Sequence, residues 1–323
     1  IHIPRFCYDK ELSSCGACRI CVVEIEGMHN LAASCVTAVS PGMVVKTESP
    51  AVVEARKIVL ELMLADHPQD CMTCEKMGDC KLAEYCYRYG VKKSSFAGAQ
   101  HSYAVDDSNP FIVRDMNKCI LCGLCVRACN ELPGKDNLDF ANRGFDRKAT
   151  TYGDVPYMES DCTFCGTCVA FCPTGALTEK SLHGAVRRWE LDKVRTTCPF
   201  CGTGCNFDLC VQDDKIVGVT TSEDNVVNGR SLCIKGRFGW DFVHNEKRLT
   251  TPLIKKNGEF VSASWDEALD LIATRLAEIK EKDGPDVFAA LSSARCTNEE
   301  NYLMQKFTRA VMGTNNVDHC ART

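Results

Sequence analysis

The alternation of apolar and polar positions divides the chain into stretches of different period. Near the start, "VVEIE" (22–26) alternates as an exposed strand does; it follows a turn at Gly16 and precedes a hairpin that returns the chain to Cys35. A second alternating stretch, "DLCVQDDKIVGVTTSEDNVVNG" (208–229), predicts a hairpin turning at Asp213 and Asp214. From about residue 250 the pattern changes. "EFVSAS" (259–264) reads as a strand, and Ser264 with Glu267 makes a capping box that opens a helix running to about Lys282. "GPD" breaks that helix, and "VFAAL" (287–291) is a short buried strand. Thr297 with Glu300 repeats the box before a helix ending at Gly313. Strand, helix, strand, helix predicts a parallel sheet whose loops at the strand ends receive a ligand.

Composition narrows the classes. With 323 residues, 45% hydrophobic and 25% charged, the chain is long enough for two or three ordinary globular domains. A formal charge of -5 supplies neither a basic face for nucleic acid nor a polybasic anchor for an anionic membrane. No run of about 20 apolar residues or secretory h-region is present, and the Arg187–Arg188 pair is internal, so the sequence predicts no membrane insertion and a cytoplasmic protein. The chain opens on Ile1, so a front segment is expected to precede this numbering. The outlier is cysteine, 24 in all, a count that in a reducing cytosol points to metal rather than disulfides.

The cysteines sort by spacing into sets. "CILCGLCVRACN" and "CTFCGTCVAFCP" both read C-x2-C-x2-C-x3-C, and each cysteine of the second sits 43 residues after its counterpart in the first. A tight triplet lets three thiolates wrap one iron-sulfur cube, while the thiolate three residues on reaches the other cube. One 4Fe-4S cluster is therefore expected on Cys119, Cys122, Cys125 and Cys172, and its twin on Cys162, Cys165, Cys168 and Cys129. Zinc has no use for the triplet-plus-one arrangement. Asn130 stands where the first run would have the proline that Pro173 supplies to the second, and the 43-residue offset implies an inserted hairpin or loop.

Upstream, His67, Cys71, Cys74 and Cys80 by themselves suit zinc as well as iron; beside a two-cluster module they suggest a fourth-ligand imidazole on a 4Fe-4S cluster, which removes one negative charge and changes the potential. Cys86 reads as a packed thiol. At the N-terminus, Cys7, Cys18, Cys21 and Cys35 suit a 2Fe-2S cluster in a small β-rich domain; Cys15 is the alternative to Cys18 and is taken as the spare. Finally, Cys198, Cys201 and Cys205, with Cys233 returned by the hairpin, make either a 4Fe-4S site or a zinc ribbon. Cys210 reads as inert on a strand, Cys296 as core.

These motifs resemble a known assembly. The first 185 or so residues are similar to the N-terminal electron-transfer region shared by the large iron-sulfur subunit of NADH dehydrogenase, iron-only hydrogenases and soluble formate dehydrogenases. From Thr197 onward, "CPFCGTGC", "LCIKGRFGWDFVHNEKRLTTPLIKKNGEFVSASWDEALDLIA" and "SSARCTNEENYLMQKFTRAVMGTNNVDHCAR" resemble a molybdopterin oxidoreductase, the last run the formate dehydrogenase catalytic subunit in particular. The resemblance implies an α+β multidomain protein: a β-grasp-like 2Fe-2S domain lacking its first strands (1–48), a His-ligated 4Fe-4S domain (49–105), a two-cluster ferredoxin domain (106–186), a 4Fe-4S domain (187–250) and an incomplete α/β start of the molybdopterin domain (251–323). It also implies one 2Fe-2S and four 4Fe-4S clusters, with a molybdenum or tungsten bis(molybdopterin guanine dinucleotide) in the full-length protein. Lys235 would sit between that cofactor and the cluster on Cys198, Cys201, Cys205 and Cys233, where an ammonium favours the reduced cluster.

In that family the segment resembling "NNVDHCAR" and one further residue precede a metal-ligating selenocysteine or cysteine. That ligand is expected at position 324, the chain ending where a selenocysteine codon was read as a stop. The activity implied is interconversion of formate and CO2, with electrons relayed to a flavin-containing NAD(P) diaphorase or to ferredoxin or hydrogenase subunits. The competing expectation is an electron-transfer subunit without a catalytic centre, similar to that of NADH dehydrogenase.

Overall fold

The structure, a computed structural model, describes residues 1–183 and 187–320. It divides into two compact units, Ile1–Thr196 with Asn206–Trp240, and Thr197–Cys205 with the segment from Asp241 onward.

The first unit opens on β1 (Val22–Ile25), which pairs antiparallel with β2 (Ala32–Ala33) on one side and β3 (Val45–Lys46) on the other. The expected hairpin is present, but β1 is not exposed: Val22, Val23 and Ile25 are all buried. The reason is its central position and the helix α1 (Pro50–Ala65) packed on it, started by a proline whose fixed φ suits a first turn. A fully buried Arg56 on α1 ties this corner together. Its Nε donates to the Ile20 carbonyl (3.1 Å), Nη2 to the Val22 carbonyl (2.9 Å), and Nη1 to both Glu48 (3.0 Å) and the hydroxyl of Tyr89 (2.8 Å) at the end of α2 (Lys81–Tyr89). Arg56→Ala strands two buried carbonyls and should cost about 3 kcal/mol, read as a lower denaturant midpoint of the anaerobic protein.

Next come β4 (Ile112–Arg114), α3 (Leu124–Glu131), β5 (Leu138–Ala141), β6 (Lys148–Thr151), α4 (Thr167–Phe171) and β7 (Leu177–Glu179). β4 pairs antiparallel with β7, and β5–β6 is the hairpin that fills the offset between the two cysteine runs. The internal repeat extends to the backbone. Leu121 (φ 54°) and Gly123 (φ 71°) recur as Phe164 (φ 56°) and Gly166 (φ 68°), so each triplet winds through the same left-handed turns before its helix. After these come β8 (Asp192–Thr197), β9 (Asn206–Gln212) and β10 (Lys215–Thr220), a sheet of order β10-β9-β8. Asp213 and Asp214, both with positive φ, make the two-residue turn that the alternation predicts. Helix α5 (Ile234–Phe238) follows, with Cys233 as its N-cap.

The second unit holds the hairpin β11 (Leu253–Lys256)–β12 (Glu259–Ser262), helix α6 (Trp265–Asp283), β13 (Ala290–Ser293), α7 (Asn298–Lys306) and β14 (Val317–Cys320). β13 and β14 pair in parallel across α7. "EFVSAS" does not join that pair; it folds back on β11 through Asn257-Gly258, a strong hairpin turn signal. The buried strand predicted at 287–291 begins instead at Ala290, and of β13 only Ala290 is buried. Ser264 caps α6 by accepting from the Glu267 N–H, and Thr297 and Glu300 form the reciprocal box. After α7 the chain continues through a π-helical stretch (Phe307–Met312) and stops at Gly313 (φ 85°), where the sequence placed the helix end. Thr297→Ala should cost α7 about 1 kcal/mol, measurable as a small fall in midpoint. Among the described residues, no helix is long and apolar enough to cross a membrane.

Candidate metal centres

The left-handed turns ahead of α3 and α4 point successive cysteines of each run inward. Cys119, Cys122, Cys125 and Cys172 line one cavity, together with Ile120, Leu138 and Tyr157. Cys129, Cys162, Cys165 and Cys168 line a second, together with Ile112, Leu138 and Tyr157. Each cavity thus gathers three thiols of one run and the last thiol of the other. Burial pushes Cys119 up to about 12 and raises Cys122, Cys125 and Cys168 as well. Thiolates so placed need cationic compensation, and the irons of a cluster are of that kind. The donor set and its dry walls fit a 4Fe-4S group in each cavity.

Around Cys7 the N-terminal thiols form a tight cluster. Cys21 and Cys35 sulfurs are 3.4 Å apart, and the Cys18 N–H points at the Cys7 sulfur at 3.4 Å. A hydrogen bond shared between Cys7 and Cys18 lowers Cys18 to about 7 and raises Cys7; burial raises Cys35 to about 12. Cys15 is exposed and lies 3.9 Å from the Cys7 carbonyl. Cys7 shares one apolar core with Cys122 of the first cavity, and Arg127 on α3 donates to the Cys7 carbonyl.

His67 follows the end of α1 and Cys80 is the N-cap of α2, while Cys71 and Cys74 occupy the turns between them. The His67 Nδ1 is buried without a hydrogen-bond partner, and burial lowers the ring's pKa, which keeps it neutral as a metal ligand must be. Burial raises Cys74 and Cys80. The Cys74 sulfur lies against Gly175, where an added Cβ would come within 2.8 Å, so this loop abuts the stretch just after Cys172. One imidazole and three thiols are a donor set that an iron-sulfur cluster can take.

In the second unit, Cys198 and Cys205 are drawn together by a backbone hydrogen bond of 2.8 Å, and Cys201 contacts the Thr203 hydroxyl at 3.3 Å. Cys233 and Lys235, both exposed, belong to the first unit. Cys86 and Cys210 are buried as read, whereas Cys296 is exposed: it sits in the turn between β13 and α7, bonded through its N–H to the Ser293 carbonyl, so it is not a core residue. Cys320 touches the Ser293 hydroxyl at 3.1 Å; residues 321–323, where the terminal run ends, lie outside the described residues.

Sequence reasoning passed over three residues. Tyr157 walls both cavities, with its hydroxyl 3.9 Å from Cys168, and Arg237 and Glu179 form a buried pair. For Arg237 a signal existed, since it follows Lys235 in "LCIKGRFGW"; for the others none did.

The thiol sets coincide with known iron-sulfur families. Residues 1–50 match the 2Fe-2S iron-sulfur cluster binding domain, 56–95 the NADH-ubiquinone oxidoreductase-G iron-sulfur binding region, and 109–178 the ferredoxin-like domain of NADH-quinone oxidoreductase subunit 3. Residues 191–245 match the molybdopterin oxidoreductase Fe4S4 domain and 248–323 molybdopterin oxidoreductase itself. The chain is an iron-sulfur electron-transfer region, with the start of the molybdopterin domain, of a molybdopterin oxidoreductase.

Among its relatives, the NADPH-Fe(3+) oxidoreductase subunit alpha of Geobacter sulfurreducens is 38% identical over 322 residues, covering 100% of this chain and 37% of the relative. A Staphylococcus aureus protein named "Putative formate dehydrogenase" is 34% identical over 359 residues, covering 99% of this chain and 36% of its own. The chain thus spans little over a third of the relatives it matches. A solved NAD+-reducing [NiFe]-hydrogenase is similar over 58% of this chain and 79% of the matched hydrogenase chain, at 33% identity and a TM-score of 0.50.

Proposed function

We propose that this chain belongs to a formate dehydrogenase, and that its twenty predicted ligands hold one 2Fe-2S and four 4Fe-4S clusters relaying electrons between a formate site and an NAD(P)- or ferredoxin-linked partner. A molybdenum or tungsten bis(pterin) group, when bound, would supply two-electron chemistry on formate or CO2. The chain's own residues do the rest. Cys7, Cys18, Cys21 and Cys35 would hold the 2Fe-2S cluster, and Cys7 packs in the same apolar core as Cys122. Tyr157 and Leu138 line both ferredoxin cavities and would be shared by the two clusters held there. His67, Cys71, Cys74 and Cys80 would hold a further cluster on the flank at Gly175. Cys198, Cys201, Cys205 and Cys233 would be the ligands of the fourth 4Fe-4S cluster, and Lys235 would donate a hydrogen bond to the pterin.

The observation that carries the reading is the sequence of families, four cluster-binding regions followed by molybdopterin oxidoreductase. A diaphorase- or hydrogenase-type partner is supported by the likeness to the NAD+-reducing hydrogenase; a cytoplasmic setting is supported by the 24 cysteines, which a reducing compartment keeps as thiols for metal. A second reading, an electron-transfer subunit without a catalytic metal, is favoured by the match of 56–95 to NADH-ubiquinone oxidoreductase-G. The two part on one experiment: formate added anaerobically to the full-length protein bleaches the cluster absorbance, and molybdenum or tungsten is present near one per chain. Bleaching by NADH alone, with neither metal, favours the second reading.

A further inference from the structure

Helix α5 is only five residues long, yet it carries the most heavily bonded buried cation outside α1. Arg237 is 1% exposed. Its Nε donates to the carbonyl of Cys165 (3.2 Å), Nη2 to the carbonyl of Arg230 (2.9 Å) and to the Thr221 hydroxyl (3.4 Å), and Nη1 to Glu179 (3.4 Å). The side chain lies across Gly166, where an added Cβ would come within 2.2 Å of its Cδ; any other residue there would evict it. Phe238, the next residue, stacks on Phe111 at 4.6 Å and 10°. α5 is therefore fastened to the Cys162–Cys168 turn by a charged group and a ring.

Glu179, at the end of β7, is 4% exposed; one carboxylate oxygen faces Arg237, and the other, Oε2, is buried without a partner. Burial pushes its pKa up, against the pull of Arg237, Arg188 and Lys76, the cations that face it. Neither group lines the cavity of the second ferredoxin site: Arg237 stands outside it on the carbonyl of Cys165, and Glu179 stands behind Arg237.

We propose that the Arg237–Glu179 pair is a positioning and charge-setting device for the cluster on Cys129, Cys162, Cys165 and Cys168. A fixed guanidinium on the Cys165 carbonyl favours the reduced, more negative cluster, and Glu179 opposes it in part. The pair sets where electrons rest along the relay and holds the helix bearing Cys233 and Lys235 to this turn. The proposal rests on the reading of those four cysteines as ligands of one cluster.

The two members act with opposite sign, which a merely structural role would not do. In the anaerobic full-length protein, the cluster's EPR signal is identified by its loss in Cys165→Ser and titrated against potential. Arg237→Gln should raise the oxidised-to-reduced ratio at fixed potential at least tenfold, about 59 mV more negative for a one-electron centre. Glu179→Gln, of the same shape, should move the midpoint the other way, and Arg237→Lys should stay closer to the wild type than Arg237→Gln. Should Arg237→Gln fail to assemble, the Glu179→Gln and Arg237→Lys midpoints carry the test. Shifts of the same sign, or an unmoved midpoint in Glu179→Gln, overturn the proposal while leaving the ligand reading intact. A wild-type protein without this signal overturns the ligand reading, and the proposal with it.

Discussion

Replacing Cys122 with serine should remove one whole cube, lowering iron by about four atoms per chain, and should destabilise the protein well beyond the loss of one sulfur. The reason is location. Cys122 is buried in the core that also holds Phe6, Leu12, Leu60 and Tyr85, so the N-terminal region, α1, α2 and the ferredoxin region share its surroundings. A hydroxyl there is a weaker ligand and an unpaired polar group, which by itself costs roughly 1–3 kcal/mol. Iron and acid-labile sulfide analysis, together with EPR of the reduced protein, reads the first effect, and a denaturant midpoint taken anaerobically reads the second. Unchanged iron would remove Cys122 from the ligand set.

The second large effect is at His67. His67→Ala should empty the His/Cys site of about four irons and leave the other centres in place, because the loop from Cys71 to Cys80 lies on the flank of the ferredoxin region, its Cys74 sulfur against Gly175 and its Glu75 beside His183 (4.0 Å). His67→Cys should retain the iron but make that centre harder to reduce, since a thiolate adds the negative charge that the imidazole spared. Potentiometric EPR distinguishes the two variants. A His67→Ala protein with full iron and an unaltered signal would make His67 a packed side chain.

Much of this was legible because spacing constrains chemistry more tightly than it constrains shape. The crossed grouping of Cys129 and Cys172 could be written from two runs of residues, and the cavities gather those same thiols. The turn at Asp213–Asp214, the Ser264 cap and the box at Thr297 were equally local, decided by a few neighbouring residues, although at Ser264 only half of the expected box forms, Glu267 pairing with Lys256 instead. Readings that depended on distant partners went astray. "VVEIE" shows a polar residue every second place, yet α1 covers the strand, and the alternation carries no trace of that helix. "EFVSAS" has a strand's period, but period does not say which neighbour a strand takes; the Asn-Gly turn does, and it assigns β11. Cys296 reads as core, whereas it is exposed and its N–H is spent on a turn. Arg237 and Glu179 lie 58 positions apart, and only the folded chain brings the arginine onto a buried carboxylate.

The central claim is that these thiols, with one imidazole, hold iron and sulfide. Metal and acid-labile sulfide analysis of the anaerobically purified protein tests it most directly. The account predicts about 18 irons per chain with matching sulfide, the content of one two-iron and four four-iron clusters, and little zinc. Zinc in stoichiometric amount with no labile sulfide would contradict it.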